Sequence, residues 1–100
     1  MTVSQAADHS GAISLVGWTQ LTEDFQELAR FWVSKERSFV LVAPDHVNSA
    51  TLLGSLLVEC VHTAADGYAA AWNRPRPQVL AELWRGFDEE RMRLEGQDRE

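Results

Sequence analysis

Apolar and polar positions along the chain change period twice, and the changes divide it into elements. From Leu28 to Ser34 the alternation is two-fold: Ala29, Phe31 and Val33 fall on one side, Arg30, Trp32 and Ser34 on the other. Ser34-Lys35-Glu36-Arg37 is polar and of turn length. Ser38 to Ala43 follows, rich in β-branched and aromatic residues, and Pro44 ends it because proline cannot donate to a ladder. Two such runs joined by a few polar residues predict an antiparallel hairpin, with strands at about 28–34 and 38–43. The second run is apolar on both sides, with Phe39 and Leu41 pointing one way and Val40 and Val42 the other.

Beyond Asn48 the period becomes helical. Leu53, Leu57, Val61, Ala64, Tyr68 and Trp72 recur at spacings of three and four, and Leu52, Leu56 and Cys60 widen the stripe. This predicts a long helix at about 49–72, with Asn48 or Ser49 as its N-cap. Asp66-Gly67 is a turn signal inside it, but Tyr68 and Trp72 stay in phase across the glycine, so the helix is expected to run through. Gly54 and Gly67 are expected to admit a neighbouring backbone. Asn73-Arg74-Pro75-Arg76-Pro77 breaks the chain. A shorter helix is then predicted at about 77–92, with Val79, Leu80, Leu83, Trp84 and Phe87 inward and Glu89–Arg93 as an i,i+4 pair.

The N-terminal third is less patterned. Residues 1–11 are small and polar and are expected to be disordered. Ala12 to Trp18 fits either a strand or a docked arm. Thr22-Glu23-Asp24 reads as a helix start, with Thr22 as cap. Residues 12–93 are thus expected to form a single α+β domain of two layers, the hairpin packed on the two helices, with residues 94–100 as a frayed acidic tail.

Charge and composition narrow the function classes. Fifteen acids against nine bases give a formal net charge of −6, which repels nucleic acid and anionic membrane surfaces. Neither is expected as a partner. Arg74 and Arg76 form a local basic spot that reads as a solvated loop. The single cysteine, Cys60, allows no internal disulfide and is expected to be a small buried apolar residue; His62, two residues on, points about 200° round the helix and is no activating partner. The first residues carry no basic stretch followed by a long apolar run, so no signal peptide is expected and the reducing cytoplasm is the expected compartment.

No nucleotide-binding glycine motif, nucleophile elbow, zinc-protease or paired-cysteine pattern occurs, so no catalytic residue and no cofactor is assigned. Asp88-Glu89-Glu90, followed by Arg91 and Arg93, reads as a solvated helix face. Glu59 and His62 stand three apart, a spacing used in bundle-core metal sites, but only one copy is present and Glu59 lies off the main apolar stripe. They are the candidates for a metal, and with Tyr68 for a small-ligand site; no metal is assigned. His9, His46 and His62 share no metal spacing.

Surplus apolar surface points instead to an interface. Trp32, Val40 and Val42 are the candidate interface residues, since one layer of helices covers only one side of a hairpin. The alternative cover for Trp32 is the N-terminal arm, through Val16 and Trp18. A homodimer is expected, because a two-stranded sheet alone is marginal and a helix from Ser49 to Trp72 would be about 36 Å long. A compact chain of this size is only about 33 Å across. The further protein partner is unspecified.

Residues 27 to 92 also resemble a small family of alphaproteobacterial proteins of unknown function. The resemblance is carried by Glu27-Leu-Ala-Arg-Phe-Trp-Val-Ser34, the strand before Pro44, Leu53-Gly54-Ser-Leu-Leu-Val-Glu59, His62 with Ala64 and Tyr68, and Phe87-Asp88-Glu89-Glu90. The family pattern has tryptophan before the helix glycine where this chain has Leu53. The resemblance implies a hairpin followed by two helices and no catalytic residue.

Overall fold

The computed structural model describes residues 9–98, and the elements run β1 (Ala29–Val33), β2 (Ser38–Val42), a short 3-10 turn (Pro44–His46), α1 (Ala50–Trp72) and α2 (Arg76–Asp98). The fold class is α+β: one antiparallel hairpin and two helices. Where one domain was expected over residues 12–93, the chain divides into two compact units, Met1–His46 and Val47–Glu100. Of residues 1–11, expected to be disordered, 1–8 lie outside the described residues, whereas 9–11 form a turn in which the Ala12 N–H donates to the His9 carbonyl at 3.0 Å.

In the first unit, β1 and β2 pair with Ala29 opposite Val42, Phe31 opposite Val40 and Trp32 opposite Phe39. The connecting loop has no residue at positive φ, although two-residue hairpin loops favour turns that need one. Ser34 compensates. Its N–H donates to the Arg37 carbonyl at 2.7 Å, and its hydroxyl oxygen accepts from the Arg37 and Glu36 N–H groups at 3.2 and 3.3 Å. At the open end, the Ala43 N–H donates to the Leu28 carbonyl at 2.9 Å. The 3-10 turn beginning at Pro44 brings His46 back to the hairpin base, where Nδ1 meets the Glu27 carbonyl at 2.6 Å. A carbonyl only accepts, so the Nδ1–H tautomer donates.

Ahead of β1 the chain is a series of tight turns, neither the strand nor the helix that the sequence allowed. Leu15–Trp18 is closed by a Trp18 N–H to Leu15 carbonyl bond at 3.2 Å, with Gly17 at φ +90°, where a side chain would be strained. Thr22 starts a single turn to Phe25, not a helix. Its hydroxyl donates to the Asp24 carboxylate instead of accepting a backbone N–H. A strand begins at Ala29, so too few residues remain to offset the cost of nucleating a helix.

In the second unit, Ser49 caps α1, its hydroxyl oxygen accepting from the Leu52 N–H at 3.1 Å. The helix runs unbroken past Gly67. It ends at Asn73, which takes the left-handed conformation (φ 53°, ψ 52°) and lets the N–H groups of Asn73 and Arg74 reach the Ala69 carbonyl. Pro75 follows at once, and α2 starts at Arg76. Val61 and Ala65 of α1 and Val79 of α2 are buried, flanked by half-buried Ala64, Ala69, Leu80, Leu83 and Trp84.

Several expectations are corrected here. One neighbouring helix covers only a narrow seam of the broad α1 stripe, so Leu57, Tyr68, Trp72 and also Cys60 are exposed. Tyr68 and Trp72 instead stack on each other, with ring centroids 4.5 Å apart. Gly54 and Gly67 admit no neighbouring backbone: a methyl group at either would meet nothing within 4 Å. The expected frayed tail from residue 94 is helix as far as Asp98. Two ion pairs brace it, Arg91–Glu95 at 3.1 Å and Arg93–Glu90, the latter replacing the expected Glu89–Arg93 pair.

Candidate functional site

The hairpin presents two different faces. Because residues directly opposite in an antiparallel pair share a face, the register groups Ala29, Phe31, Val33, Ser38, Val40 and Val42 on one side. Arg30, Trp32, Phe39 and Leu41 lie on the other. The three interface candidates are therefore not one patch: Val40 and Val42 share a face, and Trp32 is on its reverse.

The reverse face is partly occupied from within the unit. The His9 ring meets Trp32 edge-on at 5.2 Å, and Trp32 is half-buried. The ring that meets Trp32 belongs to His9, ahead of the arm expected at residues 12–18, whose Val16 and Trp18 are both exposed. Arg30 on the same face pairs with Glu27 at 2.8 Å. The front face is uncharged and open, with Phe31 58%, Val33 83%, Val40 57% and Val42 48% exposed. Phe31 and Val33 were missed as surface residues. The turn spacing was the signal: closing the loop between Ser34 and Arg37 counts back to Phe31 opposite Val40.

On the helical unit, Glu59, His62 and Tyr68 do not line one groove. Nine residues of helix put Glu59 and Tyr68 about 180° apart around the axis and roughly 13 Å apart along it. Tyr68 is engaged with Trp72. The His62 ring lies edge-on to Trp84 at 6.0 Å, and Trp84 in turn meets Phe87 at 5.5 Å. His62 Nδ1 faces the Arg76 guanidinium at 3.4 Å, and since arginine only donates, Nδ1 is the acceptor. Among the described residues, no three His, Cys, Asp or Glu side chains are grouped closely enough to hold a metal ion.

The two arginines of the interhelical link are tied to acids. Arg74 binds Glu82 through two nitrogens, which holds the Glu82 carboxyl below its ordinary value and raises the guanidinium's own. Arg76 binds Asp66 at 2.5 Å and the His62 carbonyl at 3.3 Å. Neither is left as a basic spot for a phosphate. Asp88, Glu89 and Glu90 are exposed, in keeping with a solvated face.

Comparison with protein-family models, with curated proteins and with solved structures gives no match. No helix among the described residues is long and apolar enough to cross a membrane.

Proposed function

We propose that this chain is a non-enzymatic, homodimeric protein-interaction domain working in the cytoplasm. The supporting observation is the front face of the hairpin, where Phe31, Val33, Val40 and Val42 are exposed together with no charged residue among them. Fully burying a side chain of this size is worth about 1.5–3 kcal/mol. An uncharged patch of four of them therefore favours a protein partner over water. The net charge of −6 and the pairing of Arg74 and Arg76 with acids argue against nucleic acid as that partner. A lone exposed thiol at Cys60 suits a reducing compartment. Kinship with the alphaproteobacterial family named above belongs to the same proposal.

Light scattering on the purified protein tests the reading. A species of about 22 kDa is expected, twice the 11.2 kDa chain. Val40→Glu, which puts a charge on the front face, should shift it toward 11.2 kDa. A wild-type protein that stays monomeric at high micromolar concentration would remove the homodimer.

A further inference from the structure

We infer that two copies join through the outer edge of β2, antiparallel about a two-fold axis at Val40, to make one four-stranded sheet. The inference rests on the homodimer reading above and adds the contact, its register and its hydrogen bonds.

An antiparallel ladder alternates between pairs that exchange backbone bonds and pairs that do not. Inward bonds from Ala43 to Leu28 and from Ser34 to Arg37 bracket the hairpin. Between these two, the register makes Arg30–Leu41 and Trp32–Phe39 the bonded pairs. The N–H and C=O groups of Ser38, Val40 and Val42 therefore point away from β1. No other described residue of this unit bonds them, and all five β2 residues are exposed.

The outer edge of β1 is also unpaired, but it differs in two ways. β1 carries Arg30, paired with Glu27, and Trp32, packed against His9. Ser38-Phe39-Val40-Leu41-Val42 has no charge, no proline and no glycine. Those are the usual devices that keep an edge strand from pairing, and β2 lacks them.

The occupant is a second copy because the segment is complementary to itself. A two-fold at Val40 sets Val40 opposite its own symmetry mate and Ser38 opposite Val42. That register satisfies all six outward groups of each strand, and opposes no charge to a like charge. It also runs the front face on across the axis, as Phe31, Val40, Val40 and Phe31 of successive strands. Four strands with one apolar face form an independently stable sheet where two do not.

Amide hydrogen exchange and light scattering on the full chain test this together. In the wild type, the Ser38, Val40 and Val42 amides should exchange slowly at high concentration and lose that protection on dilution, in step with the mass falling from about 22 to 11.2 kDa. Val40→Pro removes an N–H that the β1–β2 ladder does not use, so the variant should keep its circular dichroism and run at 11.2 kDa. A wild-type monomer would overturn this inference and the homodimer reading together. A wild-type dimer whose three amides exchange fast at every concentration, or a folded Val40→Pro that stays dimeric, would overturn this inference alone. Should Val40→Pro fail to fold, the exchange of the wild-type amides decides. A monomer whose three amides slow only with an added extended peptide would replace the second copy as occupant.

Discussion

Arg76, the first residue of α2, reaches back to Asp66 on α1 and closes the helical hairpin ten residues after the acid. The same guanidinium donates to the His62 carbonyl at 3.3 Å. Both side chains are well exposed, so the ion pair is worth at most about 1 kcal/mol and is screened by salt. Arg76→Ala should lower stability to urea by that order, with a smaller loss in 1 M salt on the order expected for a Debye length of about 3 Å. Urea titrations at low and high salt check it; a loss that salt leaves unchanged would mean that the carbonyl bond and packing, not charge, carry the contribution.

Gly54→Ala and Gly67→Ala should each stabilise the protein by about 0.5–1 kcal/mol, since alanine is the better helix former. Beyond the helix's own neighbouring backbone, neither site has an atom within 4 Å of the added methyl. Thermal melts at fixed protein concentration measure the effect. A destabilised variant would reveal a close approach at that glycine by another copy.

Asn73 sits at φ 53°, a conformation that costs ordinary side chains about 1–2 kcal/mol. Asn73→Gly should therefore be neutral or slightly stabilising, and Asn73→Val destabilising by that amount. Comparing the two unfolding midpoints isolates the backbone effect, because both variants lose the same amide side chain.

Acid should weaken the helical unit. Arg74 holds the Glu82 carboxyl, and Arg93 the Glu90 carboxyl, below the ordinary 4.5 by hydrogen bonding. A carboxyl depressed in the folded state contributes stability that is fully present above its unfolded value and is lost as pH falls through the folded one. Melting temperature should thus be flat above about pH 5 and fall progressively below it. Glu82→Gln should melt lower at neutral pH and show a shallower acid slope. An unchanged slope would show that solvent screening has removed the contribution.

Features carried within a few neighbouring residues were legible in the sequence. Alternation over Ala29–Val33 and the β-branched and aromatic run Ser38–Val42 marked the strands, Asn48-Ser49 marked the start of α1, and Asn73-Arg74-Pro75 marked the break before α2. Each depends on local backbone preference, capping or the missing proline N–H, all of which act over one turn. Features that require a partner distant along the chain were decided by tertiary structure. The β register set Phe31 beside Val40 and put Trp32 on the reverse. The single neighbouring helix buried Val61 and Ala65 and left Cys60 exposed. Arg74 and Arg76 found Glu82 and Asp66, eight and ten residues away. Periodicity states that a face is apolar; which surface meets it is settled only when the chain has folded back on itself, because burial is a property of both surfaces in contact.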